Sequence, residues 1–362
     1  MPVTAFLLDY GLFFAKVLTV LLAALLLIGF IFSRREEPED EGHIEVRKLN
    51  DQLDDLRDTL RESLLDDDQL KREEKARKAE KKAERKQRKK EAKLAKKRLG
   101  GKQPEPEQPE RSTVYVLNFD GDIRASANEN LRREITSVLA VARLGDEVVI
   151  RLESPGGMVH SYGLASSQLD RIVQAKIPLT ACVDKVAASG GYMMACVANR
   201  IVAAPFAILG SIGVVAQLPN FHRLLKKNDI DFEMLTAGEY KRTLTMLGEN
   251  TEEGRQKFVE ELEDTHTLFK DFVSEHRPQV EIEKVATGET WYGKRALGVK
   301  LIDEIKTSDE LLLERCKEMD VYEVRYTTKK TLREKLGFGA ADVLDTVALR
   351  WWERLQSSRF PR

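Results

Sequence analysis

From residue 112 onward the chain alternates short runs of β-branched and apolar residues with segments whose apolar positions recur at helical spacing, and few folds accommodate that alternation. The runs are "STVYVLNF" (112–119), "DEVVIRLES" (146–154), "PLTACVD" (178–184), "NRIVAAP" (199–205) and "DFEMLT" (231–236). Between them, "ENLRREITSVLAVARL" repeats at Leu131, Ile135, Val138 and Leu139, and "SYGLASSQLDRIVQA" at Leu164, Leu169, Ile172 and Val173. Strands alternating with helices predict an α/β domain with a largely parallel sheet, spanning about 111–330. "NTEEGRQKFVEELEDTHTLFKDFVSEH" predicts a long helix capped near Asn250 or Thr251, with Phe258, Val259, Leu262, Phe269, Phe272 and Val273 on its apolar face.

What precedes this domain is different in texture. The 362 residues carry 33 % charged side chains yet a net charge of only −1, because the charges are segregated. "LFFAKVLTVLLAALLLIGFIF" (12–32) is apolar except for Lys16. As a helix it is about 31 Å long, enough to cross a hydrocarbon core. No basic region precedes it and no small-x-small site follows, so an uncleaved anchor over 1–35 is expected rather than a signal peptide. Residues 36–68 hold 14 acidic and 4 basic side chains, with Leu49, Leu53, Leu56, Leu60 and Leu64 at helical spacing; residues 71–98 hold 16 basic and 5 acidic ones. This predicts a charged helical stalk over 36–99, followed by a Pro/Gly linker, "GGKQPEPEQPE" (100–110).

The basic half of the stalk has no interleaved aromatic residue to stack on bases, so no nucleic-acid partner is expected; anionic lipid or an acidic neighbouring stalk fits it better. Beyond residue 330, "AADVLDTVALRWWERLQ" predicts an amphipathic helix within 331–362, which docks on the domain or a neighbouring subunit, or lies in a membrane interface. Three cysteines, Cys182, Cys196 and Cys316, make no even disulfide framework and read as free thiols.

Two glycine-rich turns follow apolar strands. In "RLESPGGMVHS" a strand ends at Glu153, and the turn leaves backbone N–H groups free for an anion or a carbonyl oxygen. In "VAASGGYMMAC" (186–196) Ser189 stands among small residues at a strand-to-helix turn, so its hydroxyl projects while the Gly190 N–H points toward the same space. Acyl transfer needs that pairing of nucleophile and oxyanion donor; a serine that only caps a helix is the plain structural alternative. Of the five histidines, His43 falls in the stalk and His266 and His276 on the long helix, which leaves His160 and His222 as possible bases. Lys241 in "LTAGEYKRTLTMLGENTEEG" is the other. A lysine amine serves as a base near neutral pH only if its pKa falls by about 3, a differential of roughly 4 kcal/mol, which requires an enclosed and largely apolar site.

"ESPGG", "ASGGYMMAC", "GSIGVV" (210–215) and "GEYKRTLT" occur in the order found in the signal peptide peptidase A family of serine proteases, which this chain resembles over nearly its whole length. "WYGKRALGVKLIDEI" (291–305) is similar to that family's closing motif, and the anchor and charged stalk resemble one branch of it. The resemblance implies a ClpP/crotonase-like domain of repeated ββα units and a serine–lysine dyad. It makes Ser189 the nucleophile, Lys241 the general base, Ser211 the hydroxyl that orients the lysine, and the N–H groups of Gly157 and Gly190 the oxyanion hole. It also implies a homo-oligomer acting on peptides or misfolded exported proteins, without cofactor or metal, on the outer side of an inner membrane. Arg34 and Arg35 just after the apolar run, with Arg47 and Lys48 a little further on, point the other way, to a cytoplasmic domain. Three readings compete with the dyad protease: a histidine-based triad, a crotonase-type acyl-CoA enzyme, and a membrane scaffold with a vestigial site.

Overall fold

The computed structural model describes residues 11–21, 42–64, 86 and 111–328. The chain divides into two compact units, Met1–His43 with Thr327–Arg362, and Ile44–Tyr326. In the first, residues 11–21 form a helix, α1, whose Leu12, Phe13, Phe14 and Val20 side chains are exposed. No helix among the described residues is long and apolar enough to cross a membrane. The remainder of the apolar run (22–32), most of 65–99, the linker 100–110 and the C-terminal helix expected within 331–362 lie outside the described residues.

The second unit is the expected α/β domain. Its strands are β1 (His43–Lys48), β2 (Thr113–Asp120), β3 (Glu147–Glu153), β4 (Leu179–Val183), β5 (Val186–Ala188), β6 (Arg200–Ala203), β7 (Ile208–Gly210), β8 (Thr290–Tyr292), β9 (Glu304–Ile305) and β10 (Asp320–Thr327). Seven form the main sheet in the order β1-β10-β2-β3-β4-β6-β9, and the pairs from β10 to β9 are all parallel. Parallel neighbours need crossovers, and the helices supply them.

The helices are α2 (Leu49–Leu64), α3 (Asn128–Val141), α4 (Val159–Gln174), α5 (Gly190–Ala195), α6 (His222–Lys227), α7 (Glu252–His276), α8 (Ile282–Val285), α9 (Gly293–Gly298) and α10 (Ser308–Glu318). α3 and α4 bury Leu131, Ile135, Val138, Leu169 and Ile172 with Leu117, Phe119, Ile150 and Leu152 of the sheet. On a separate apolar cluster, Leu311 and Leu312 of α10 pack with Val114, Val116, Val149 and Val202. The strands therefore read as near-continuous apolar runs, as in a sheet covered on both sides. Leu164, expected on the apolar face of α4, is exposed.

A second sheet, ordered β5-β7-β8, stands at the end of the first. β4 passes into β5 through two residues, and α5 follows, which makes one ββα unit. The isolated bridge Ser154↔Ala187 joins the end of β3 to β5, so the glycine-rich turn after β3 also meets the second sheet.

Two expectations are corrected. The stretch read as a helical stalk is, over 44–64, part of the domain: β1 lies beside β10 at the sheet edge, and Leu49 packs on the cluster of Leu311 and Val321. Asn50 fixes the join, its amide donating to the carbonyls of Cys316 and Met319 and its Oδ1 accepting from the Val321 N–H. Charge counting could not see this, because an open sheet edge recruits a strand through backbone groups. "DFEMLT" is the second case: 231–236 forms no strand and is exposed throughout. Its β-rich composition finds no sheet edge within the described residues to pair with.

Candidate active site

β5 and β7 run parallel with Ala188 opposite Gly210, so the next residue of each, Ser189 and Ser211, emerges at the same end of the second sheet. Both have φ near 52°, a conformation costly for a residue with a side chain and kept only where the surroundings enforce it. The Ser189 N–H donates to the Gly210 carbonyl at 2.7 Å, and the Ser211 N–H to the Glu289 carbonyl at 2.7 Å. Ser189 opens α5 without capping it, so its hydroxyl makes no capping bond and the structural alternative for this serine fails. Tyr192, Met194 and Cys196 then anchor α5 in the core, with the Tyr192 hydroxyl donating to the Leu301 carbonyl at 2.8 Å. Burial holds the Tyr192 phenol well above its usual pKa.

The small residues are required by clearance. A Cβ on Gly156 would fall 2.7 Å from both the Ala188 carbonyl oxygen and the Gly190 nitrogen, and one on Gly157 only 2.1 Å from the Ile123 carbonyl oxygen. One on Gly190 would fall 2.4 Å from Cγ of Tyr162. Backbone therefore meets backbone where the two glycine turns approach each other. Gly157, Ser189 and Gly190 line one small cavity of about 10 Å³, room for roughly one water. The N–H groups of Gly157 and Gly190 donate to no acceptor among the described residues.

Val159, Met193, Gly213, Val214, Thr265 and Phe269 complete the cavity wall. Phe269 was legible on the apolar face of the long helix; Thr265, one turn earlier, carried no signal. The cap of that helix is the expected one, with the Thr251 side chain accepting from the Gly254 N–H. Its apolar face is only partly buried: Phe269 and Val273 are in the core, while Val259 is exposed.

Lys241 does not line this cavity, and neither do Ser211, His160 or His222. His160 is exposed in the first turn of α4, and His222 begins α6. Lys241 lies on an arm that leaves the domain near residue 220 and returns near 248. Its base is closed by the Phe221 N–H donating to the Met246 carbonyl at 2.7 Å and by the Asn220 amide donating to the Thr245 and Gly248 carbonyls. Beyond that base the arm is exposed, Lys241 included, and it carries Leu224, Ile230, Phe232, Met234, Leu235 and Tyr240 in the open. Among the described residues no cluster could hold a metal ion.

With this geometry in view, the comparisons decide the family. Residues 5–169 match the pattern described as Peptidase family S49 N-terminal, and residues 171–322 match Peptidase family S49. The chain is 53% identical over 329 residues to "Probable protease SohB" of Haemophilus influenzae, an alignment covering 91% of each chain. The chain belongs to peptidase family S49, in its SohB branch.

A second relative of that name, from Buchnera aphidicola subsp. Schlechtendalia chinensis, is 46% identical over 86% of this chain and 99% of its own. Among solved structures, a membrane-bound stomatin-specific protease aligns at 16% identity and TM-score 0.39 over 64% of this chain and 99% of that one. The S49 match supports a protease rather than a crotonase-type acyl-CoA enzyme.

Proposed function

We propose that this protease is a membrane-anchored serine endopeptidase that works through a Ser189–Lys241 dyad. The observation that carries the reading is the in-register exit of Ser189 and Ser211 from β5 and β7, with the unpaired N–H groups of Gly157 and Gly190 at the Ser189 cavity. Ser189 Oγ attacks the scissile carbonyl carbon while its proton passes to a neutral Lys241 amine. Charge grows on the carbonyl oxygen, where the two glycine N–H groups donate to it. Collapse of the tetrahedral intermediate expels the amine product, which takes the proton from Lys241, and leaves an acyl-enzyme that water hydrolyses with the same lysine as base. Ser211 orients the lysine amine.

A neutral lysine needs enclosure, and a single chain leaves Lys241 exposed on an arm rich in apolar side chains. We therefore include a homo-oligomer in the proposal: a second copy covers the arm and excludes water from the amine. The apolar walls Val159, Met193, Val214 and Phe269 favour peptides and unfolded segments with small or apolar side chains next to the cleaved bond. The apolar run 12–32 anchors the chain in an inner membrane with the protease domain on the outer side; cleavage of the domain by protease added to spheroplasts checks this orientation.

The dyad is tested by labelling with a serine-directed acylating probe and by peptidase turnover in full-length protein. Ser189→Ala and Lys241→Ala should each lose several orders of magnitude in kcat/KM, and His160→Ala and His222→Ala little. Full activity in Lys241→Ala would overturn the dyad.

A further inference from the structure

Ser154 is fully buried immediately after β3; its backbone groups go to β5 and its hydroxyl to the glycine turn and to Tyr162. Its N–H donates to the Val186 carbonyl at 2.8 Å, and its carbonyl accepts the Ala188 N–H at 3.0 Å, which ties it to the strand that delivers Ser189. Its Oγ accepts the Gly156 N–H at 3.1 Å and lies 2.5 Å from the hydroxyl of Tyr162, also fully buried. The Tyr162 hydroxyl donates to the Asp122 carbonyl at 2.7 Å. Each hydroxyl has a single proton. With the phenol proton on Asp122, the serine proton lies on the phenol oxygen rather than on the Gly121 carbonyl at 3.4 Å, and a serine lone pair is left for Gly156. Burial raises the Tyr162 pKa, so the relay stays neutral.

The relay brackets one oxyanion donor and packs on the other. On the near side of Gly157 the Gly156 N–H is held by Ser154; on the far side the Met158 N–H donates to the Ile123 carbonyl at 2.8 Å. The Asp122–Ser126 loop that supplies Ile123 is braced by the Asp122 carboxylate, which accepts from the Arg124 and Ser126 N–H groups and the Ser126 hydroxyl. Gly190 packs against the base of the Tyr162 side chain, where an added Cβ would fall 2.4 Å from Cγ, and a Cβ on Gly191 would fall 2.5 Å from the Ser154 carbonyl oxygen. Two side chains thus touch both glycine turns.

We propose that Ser154 and Tyr162 are positioning residues for the oxyanion hole, setting the separation and direction of the Gly157 and Gly190 N–H groups. The inference rests on the serine-protease reading above. Oxyanion donors act through preorganisation, so a hydroxyl that touches no substrate governs the rate by holding them still.

The test uses full-length Ser154→Ala and Tyr162→Phe proteins. Three quantities are measured beside thermal unfolding: kcat and KM on a peptide substrate, the affinity of a peptide aldehyde whose adduct with Ser189 places an oxygen in the hole, and that of the matching peptide alcohol, which forms no adduct. Expected are a kcat lower by about 10- to 100-fold in Ser154→Ala and by about 10-fold in Tyr162→Phe, with KM within about twofold. Aldehyde affinity should fall with kcat/KM while alcohol affinity holds. Wild-type kcat in both variants, or equal losses for aldehyde and alcohol, would refute the inference and leave a merely structural pair. Should Ser154→Ala fail to fold, Tyr162→Phe decides alone. Ser189→Ala separates the two levels: if it retains turnover the reading of Ser189 as nucleophile fails, whereas if it is inactive while both relay variants match wild type, only the positioning role fails.

Discussion

The turn that carries Ser189 and the arm that carries Lys241 are held in opposite ways. Around Ser189 every neighbour is fixed: β5 and β7 pair behind it, Gly156, Gly157 and Gly190 leave no room for a single added methyl, and Tyr192 locks the following helix to Leu301. The arm is pinned mainly at its base, with Lys257 of α7 set 5.2 Å over the Tyr240 ring, and beyond the base Leu235 stands 94% exposed and Lys241 faces solvent. A nucleophile and its oxyanion donors must be preorganised within one chain, since tenths of an ångström decide their effect. A lysine base needs instead to be desolvated, and desolvation can be delivered by a second surface. Under the proposed dyad, one half of the site is complete on folding and the other would be completed on assembly.

That contrast breaks most readily at the turn. Gly157→Ala drives a methyl into the Ile123 carbonyl, so peptidase kcat should fall by about 100-fold or more with a loss of stability of about 1–3 kcal/mol. A variant with wild-type kinetics would mean that the turn is not rigid. Deeper in the same half, Arg277 is 2% exposed and forked onto both oxygens of Asp303, whose Oδ2 also accepts the Ile201 N–H. Asp303 itself reaches solvent, so removing the guanidinium loses the fork without burying an unpaired charge, and Arg277→Met should cost about 1–3 kcal/mol in denaturant unfolding.

The arm should behave otherwise. Leu235→Asp is expected to change unfolding of the domain by no more than about 0.5 kcal/mol while lowering both the molar mass by light scattering and the turnover per chain. Unchanged mass and activity would detach the arm from assembly.

Smaller effects sharpen the picture of the rigid half. The Asp122 carboxyl is held below its ordinary range, first by the Ser126 N–H and hydroxyl. A lowered folded-state pKa contributes stability that is present above the unfolded value and lost as pH falls through the folded one. The protection factor of the Ser126 amide, taken against the intrinsic exchange rate at each pH, should accordingly fall below about pH 4, before the main sheet opens. Least of all, burial pushes the Cys182 thiol up to about 12 and Cys196 higher still, so a thiol reagent at pH 8 should modify only Cys316 in the native protein and all three cysteines after denaturation.

The residue pattern was enough for the parallel α/β domain, the long helix with its Thr251 cap, and the serine among small neighbours. Each of these is encoded locally: strand and helix periods follow from side-chain direction, and only glycine fits where backbones nearly touch. The placement of His43–Lys48 beside β10, the failure of 231–236 to become a strand, and the Ser154–Tyr162 relay left no mark in composition or spacing. They depend on which sheet edges stand open and which distant segments meet, and those contacts exist only once the chain has folded.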